Sequence, residues 1–386
     1  MWRTELGNVV AYAREVSEDV LAPQAATIDE EGRWPEEGVL ALRNQLGGLV
    51  VPKRFGGIGH GLLAVAQVCE ATGRGCASTS ICFGMHLVAS AAVAAKATRW
   101  QQERYLEPIA AGEHLTTLAL SEPETGGEFW LPQTRMECDG TDRLRLTGTK
   151  SFVTNAGHAD SYVVSGVVSD PGAPPGQFSC AVVDADTPGL EVGAPWRGFG
   201  MRGNASSAVK LRGAEVPRTQ LLGEEGDQIW YIFNVVTPYL LMAVAGTYLG
   251  VVSAALDEVR AHLVRRSHGH TDRSLAALPL VQHRLGTMWA QVERARRLIY
   301  HAAVEGETGS QEGMLALFSA KAEVAETAER VINDAMSLVG GTGYGQDSML
   351  QRHLRDARAV HVIAPVTDVL RLWVGRALLN EPLLEG

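Results

Sequence analysis

Ile229-Trp-Tyr-Ile-Phe-Asn-Val-Val-Thr-Pro-Tyr-Leu-Leu-Met-Ala-Val-Ala-Gly-Thr-Tyr-Leu-Gly-Val-Val-Ser-Ala-Ala-Leu256 carries no charged side chain. It is longer than the roughly 20 residues that cross a bilayer. Such a run is buried either as a membrane span or as the core helix of a large protein. Its own residues favour the core helix. Asn234, Thr237, Pro238, Gly246, Thr247, Gly250 and Ser253 interrupt it, and Glu224, Glu225, Asp227, Asp257 and Glu258 flank it. No second stretch of this kind is expected in the chain. The expectation is a helix covered on all sides in a globular protein, with no membrane span.

The composition agrees with a globular chain. It has 386 residues, 46% hydrophobic and 20% charged, enough for two or three layers around a substantial core. Lys plus Arg is 34 against 44 for Asp plus Glu, a net charge of −10, so there is no basic surplus to meet a phosphate backbone. Nucleic acid is excluded as an expected partner. The five cysteines, Cys69, Cys76, Cys82, Cys138 and Cys180, are widely spaced with no CxxC pair. Neither a disulfide framework nor a metal site is expected, and a reducing cytoplasm fits. Glu5, Arg14, Glu15, Glu18 and Asp19 break up any signal-peptide core, so the N-terminus reads as a first helix.

Outward from the uncharged run, the periodicity divides the chain in three. Up to about residue 115 apolar positions recur at helical spacing, as from Val39 to Leu46, Leu62 to Thr72 and in the Ala-rich run Ala89 to Ala97. Short β-branched or alternating runs follow: Leu115 to Leu120, Leu144 to Leu146, Phe152 to Thr154, Ser161 to Val168, Phe178 to Val183 and Ala208 to Leu211. Turn clusters such as Ser169-Asp-Pro-Gly-Ala-Pro-Pro-Gly176 separate them. After Gly226 the helical period returns, broken at Leu338-Val-Gly-Gly-Thr-Gly-Tyr344, whose glycines read as a helix cap and turn. The expected domains are 1–115, α-helical; 116–225, small and β; 226–386, α-helical. The class is α+β, since the strands do not alternate with helices as in a Rossmann fold or barrel. Gly198-Phe-Gly-Met-Arg-Gly203 lies among strands and opens no helix, which excludes a dinucleotide fingerprint.

Several segments in fixed order resemble the acyl-CoA dehydrogenase family. Glu107-Pro-Ile-Ala-Ala-Gly-Glu113 followed by Leu118-Ala-Leu-Ser-Glu-Pro-Glu-Thr-Gly-Gly127 is similar to that family's signature entering its β domain. Gly148-Thr-Lys-Ser-Phe-Val-Thr-Asn155, then Gly200-Met-Arg-Gly203, Val216-Pro217 and Leu222-Gly223 resemble later ones, and Gly340-Gly-Thr-Gly-Tyr344 with Arg355-Asp-Ala357 resembles the end of the fold. The resemblance covers nearly the whole chain. It implies an N-terminal helical domain, a middle β domain, a C-terminal four-helix bundle and bound FAD. Ser121 would reach the pyrimidine side of the flavin, Phe152 would line the ring where the family often has Trp, and the Thr154 hydroxyl would reach N5. Gly340, Gly341 and Thr367 would contact the cofactor, and Gly127, Glu128 and His86 the substrate. Arg265 either meets the FAD pyrophosphate of a neighbouring subunit or neutralises carbonyls near Gly269. Pro279 and Ser337 stand where the family carries glutamines against the cofactor, so those contacts are not carried over.

The same resemblance exposes a gap in the chemistry. The family removes the α proton of an acyl thioester with a carboxylate while the β hydrogen leaves as hydride to the flavin. The usual Glu position falls on Ala364, followed by Pro365, and the alternative Glu of a minority of members falls near Leu240, with a following Arg near Leu241. Four groups are substitutes for the missing base. Asp368 lies one helical turn after Ala364, although the resemblance points its side chain to the adenine side of FAD; His361 lies about one turn before. Glu128 and His86 complete the set.

These readings imply an FAD-dependent oxidoreductase acting on an acyl thioester of CoA or a carrier protein, with Asp368 as the candidate base and an electron acceptor that the sequence does not identify. Two alternatives stay open: a flavin-dependent monooxygenase, which needs no such base but draws on a flavin reductase, and a non-catalytic partner subunit. Covering the uncharged run on all sides also leads to the expectation of a homodimer or homotetramer.

Overall fold

The computed structural model describes residues 2–138, 142–168, 177–267 and 274–384. The turn cluster at 169–176, Gly269 and the side chain of Cys138 lie outside the described residues. Helix α1 (Trp2–Val16) continues through a π-turn at Ser17–Leu21 into α2 (Ala22–Glu31), which stops at Gly32, left-handed at φ 63°. Then come α3 (Glu36–Leu46), α4 (Leu62–Gly75) and α5 (Ala77–Ala95). The short α6 (Arg99–Gln101) passes through a second π-turn into α7 (Glu107–Ala110). Its start is set by a capping box: Gln101 N donates to Thr98 Oγ1 and Thr98 N to Gln101 Oε1.

Eight strands follow: β1 (Thr116–Ala119), β2 (Arg135–Cys138), β3 (Arg143–Val153), β4 (Ser161–Val168), β5 (Phe178–Asp184), β6 (Leu190–Val192), β7 (Ser207–Pro217) and β8 (Leu221–Leu222). The sheet order is β6-β7-β3-β2-β4-β5-β8. Strands β1 and β2 share one edge of β4, both parallel to it: Thr116 stands opposite Ser161, and Arg135 opposite Val167. The chain between them, 120–134, therefore leaves the sheet edge and returns to it. That excursion carries the Ser121 to Glu128 segment. Two expected strands, 144–146 and 152–154, are parts of one continuous β3 except for its last residue, with a register shift between Lys150 and Val153. The short β2, β6 and β8 went unsignalled because too few residues alternate in them for a period to show.

The uncharged run forms α8 (Gln228–Tyr231), a π-turn at Ile232–Val236 and α9 (Thr237–Arg265). The C-terminal part adds α10 (Pro279–Gly306), α11 (Gln311–Val339), α12 (Gly341–Tyr344), α13 (Met349–Val362) and α14 (Thr367–Leu378). Within this one chain 94% of the most apolar window of the run is buried. Helix α4 lies against it so closely that a Cβ on Gly250 would stand 2.3 Å from Glu70 O, and one on Gly73 2.3 Å from Thr247 O. Two expectations are corrected. The run needs no second subunit to cover it. A second apolar helix of membrane-spanning length does exist, α5, fully buried and, like the first run, without Asp, Glu, Lys or Arg.

Candidate functional site

The site grows from the excursion between β1 and β2. Its base is an ion pair with almost no exposure: Lys150 Nζ stands 2.5 Å from Glu122 Oε1, and also donates to Ser165 Oγ (3.1 Å) and Leu120 O (3.3 Å). Glu122 in turn accepts from Gln133 N at 2.7 Å and Thr134 N at 3.0 Å, so one carboxylate clasps both ends of the loop. Burial alone would raise the pKa of Glu122; the Lys150 ammonium and the Thr134 bonds outweigh it and hold it below the ordinary range. Beside this clasp Ser151 N donates to Ser121 O at 2.8 Å, which ties the start of the excursion to β3.

Four residues other than glycine have positive φ on the two neighbouring loops: Phe152 (53°), Asn155 (63°), Met201 (52°) and Ala205 (51°). Such backbone costs on the order of 1 to 3 kcal/mol per residue and persists only where the surroundings impose it. Here the loops brace each other, Asn155 N donating to Asn204 O (3.1 Å) and Ala156 N to Ala205 O (3.2 Å). Held this way, Phe152 is 69% exposed, edge-on to Trp196 at 6.2 Å. The exposed aromatic ring and the nearby residues Ser121 and the largely buried Thr154, on segments joined by hydrogen bonds, are of the types suited to a flat heteroaromatic ring. Ser121 follows the end of β1, Phe152 stands near the end of β3 and Thr154 just beyond it, and Thr117 Oγ1 donates to Thr154 O at 2.9 Å.

Both helical domains grip the same loops. Met201 N donates to Asp356 Oδ1 at 2.6 Å, and Arg355 bridges Asp29 (2.9 Å) and Phe199 O (3.2 Å). Gly203 N reaches Ser78 Oγ at 3.3 Å. Gly200 allows a close approach, since a Cβ there would lie 2.3 Å from Arg355 O. Burial pushes the carboxyl of Asp356 up to about 6. The far end of the excursion is anchored by Trp130, packed against Trp373 at 5.0 Å and Phe233 at 6.5 Å in the C-terminal bundle.

The other sequence candidates fall elsewhere. A Cβ added at Gly126 or Gly127 would meet no atom within 4 Å, and Glu128 is exposed at the turn. His86 is fully buried: Nε2 meets Gly47 O at 3.1 Å and Nδ1 accepts from Thr116 N at 3.2 Å. Burial lowers its pKa to about 4, so it is a neutral joint between the N-terminal domain and β1. Arg265 ends α9, exposed, 3.4 Å from Glu258. Gly340 caps α11 at φ 70°, its N donating to Met336 O at 2.8 Å. Thr367 and the exposed Asp368 open α14 and line a cleft of about 400 Å³ with His361, Arg358 and Arg371. Thr367 Oγ1 lies 3.4 Å from His361 Nδ1, and His361 Nε2 3.3 Å from Glu329. Ala364 sits on the preceding turn, which buried Lys321 holds by donating to Ile363 O (3.1 Å) and Pro365 O (2.9 Å). Burial brings Lys321 down to about 7.

Glu122, Lys150, Lys321, Asn155 and Trp130 were missed as site residues. Glu122, Lys150 and Asn155 stood inside the quoted motifs, which was their available signal; Trp130 and Lys321 gave none.

Glu122→Gln should cost about 3 to 5 kcal/mol in chemical denaturation by stranding Lys150, whereas Glu122→Leu with Lys150→Met should cost less. A loss under about 1 kcal/mol for the single variant would show the pair to be unimportant. Asp356 supplies a pH test. Its pKa is higher folded (about 6) than the ordinary 3.8, so the folded state holds the proton more tightly. Its contribution is therefore complete below about pH 4 and lost as pH rises through 6, a change of about 3 kcal/mol. Stability of Asp356→Asn relative to the parent should rise across that window; parallel curves would contradict the assignment.

Three family models match in sequence: "Acyl-CoA dehydrogenase, N-terminal domain" over 4–113, "middle domain" over 117–214 and "C-terminal domain" over 241–379. The cyclohex-1-ene-1-carbonyl-CoA dehydrogenase of Geobacter metallireducens is 31% identical over 95% of this chain and 96% of its own. The structure of butyryl-CoA dehydrogenase from Megasphaera elsdenii superposes with a TM-score of 0.91 at 25% identity, covering 97% of this chain and 98% of that one. The prolyl acyl carrier protein oxidase AnaB shares the fold, with a TM-score of 0.86 at 22% identity over 98% of this chain and 100% of its own. The chain, an enzyme of the flavoprotein oxidoreductase type, belongs to the acyl-CoA dehydrogenase family.

Proposed function

We propose that the protein is an FAD-dependent dehydrogenase that oxidises an acyl thioester, carried on CoA or a carrier protein, between its α and β carbons with a non-standard base. The observation that carries this is the strained, exposed Phe152, beside Ser121 on the neighbouring backbone and two residues before Thr154. These residues fit a flavin: an aromatic wall, and hydroxyls able to hydrogen-bond the ring edge. FAD, the family's cofactor, supplies the hydride acceptor. Thr367, Gly340 and Gly341, with Arg265 of a second copy, are the proposed contacts to the rest of the cofactor. Gly127 and Glu128 line the substrate entrance in this account. His86, with both ring nitrogens engaged, supports the site from behind.

Asp368 is the proposed proton acceptor, since neither Ala364 nor Leu240 can ionise. It lies in the first turn of α14, where the helix dipole favours a carboxylate, and its cleft brings Arg358 and Arg371 close. The absence of a carboxylate at Ala364 favours a second reading, a monooxygenase on the same scaffold that draws reduced flavin from a separate reductase. The retained flavin wall speaks against a non-catalytic subunit.

Val264, Leu280, Trp289, Val362 and Leu372 are exposed on the C-terminal helices. We propose a homodimer or homotetramer formed through this domain, in which such side chains are covered. The described cysteines, Cys69, Cys76, Cys82 and Cys180, are buried free thiols, in keeping with the proposed reducing cytoplasm.

Purified protein should bind FAD, and anaerobic mixing with a panel of acyl-CoA and acyl-carrier thioesters should bleach the flavin. Asp368→Asn should slow that bleaching by a factor on the order of 10² to 10⁴ with FAD occupancy unchanged. Weaker FAD binding with an unchanged rate would instead place Asp368 at the adenine end. No bleaching by any thioester, with oxygen-dependent product formed from reduced flavin, would replace the dehydrogenase by the oxygenase. Light scattering at micromolar concentration should report a dimer or larger; a clean monomer would refute the assembly.

A further inference from the structure

Thr154 ends a chain of hydrogen bonds that starts in the N-terminal domain. Trp34, stacked on His158 at 4.4 Å with ring planes 4° apart, donates Nε1 to Asn155 Oδ1 at 2.9 Å. Asn155 donates its Nδ2 to Cys82 O (2.9 Å) and its N to Asn204 O (3.1 Å). Asn204 Oδ1 accepts from Ser206 N at 3.1 Å, and Ser206 Oγ stands 3.3 Å from Thr154 Oγ1. Asn155, Asn204, Ser206 and Thr154 are all buried, and Ala205, between two of them, is one of the strained positions.

Between Ser206 Oγ and Thr154 Oγ1 either hydroxyl can be the donor. A hydroxyl has one proton to donate and two lone pairs. Among the described residues the hydrogen-bond partner of Ser206 Oγ is Thr154 Oγ1. With Ser206 as donor, the Thr154 proton is left for an acceptor outside the protein; with the roles reversed, Thr154 could offer a ligand only a lone pair. We propose that Ser206 is a positioning residue: it donates to Thr154 Oγ1 and so turns the Thr154 O–H toward an acceptor nitrogen of the bound flavin, while Asn155 and Asn204 hold Ser206 in place. This rests on the flavin reading above and extends it to residues that touch no cofactor.

The test is a double-mutant cycle on holoprotein stripped of FAD and reloaded, read as the FAD dissociation constant, the flavin absorption bands and the flavin reduction potential. Ser206→Ala and Thr154→Val should each weaken FAD binding roughly fivefold, the worth of one hydrogen bond, and shift bands and potential in the same direction. The double variant should be no weaker than either single one, and Ser206→Thr, which keeps the hydroxyl, should restore the parent values. A Ser206→Ala protein with parent affinity, bands and potential would overturn the proposal, as would losses that multiply in the double variant. Should Ser206→Ala not fold, Ser206→Cys replaces it with the same two outcomes. A parent protein that binds no FAD overturns the flavin reading itself, and this inference with it; a parent that binds FAD while the cycle fails overturns only the inference.

Discussion

A long helix without charge can exist in water only if other side chains keep it dry, and the architecture follows from how this one is covered. Helices α4 and α5 pack on α9 from the N-terminal part, and α10, α11 and α13 from the C-terminal part. The two helical regions therefore share one hydrophobic core, running from Leu6 to Trp373, although a β domain separates them in sequence. The β domain has a core of its own, built from residues such as Leu146, Tyr162, Val164 and Val209. Three sequence domains make two packing units. The candidate site lies at the junction between those units.

That junction is crossed by apolar side chains such as Val163, Val182 and Leu222, which join the helical core, and by directional polar contacts. His86 to Thr116, Trp34 to Asn155, Ser78 to Gly203 and Asp356 to Met201 each cross from helical frame to β domain. Apolar packing alone tolerates small slips, whereas a hydrogen bond to a specific backbone group does not. The strained loops at Phe152 to Asn155 and Met201 to Ala205 need such restraint, since an unbraced left-handed non-glycine residue relaxes. The Lys150 and Glu122 pair plays the same part for the excursion. Desolvation makes a buried pair a poor source of net stability, but here it specifies where both ends of one loop must lie.

The turn around Ala364 is held from outside itself. Its carbonyls are gripped by Lys321 from α11, so the path of the turn depends on a residue outside it. The backbone of this turn is fixed independently of the residue at its tip. Asp368, on the far side of the same turn, shares a cleft with arginines from α13 and α14.

Sequence alone determined the three-part division and the buried fate of the run from Ile229 to Leu256. These follow from local period, charge content and short motifs, all of which act over a few residues. Tertiary structure decided the rest. His86 had the same local signature whether it lined a pocket or joined two domains; only the distant carbonyl of Gly47 and the N–H of Thr116 distinguish them. Lys321, Trp130 and the bonds from Trp34 to Thr154 link positions far apart along the chain, and no local pattern encodes a partner. The sufficiency of one chain to cover its apolar helix was likewise invisible, because coverage depends on how five other helices converge on it, which is a property of packing and not of any one segment.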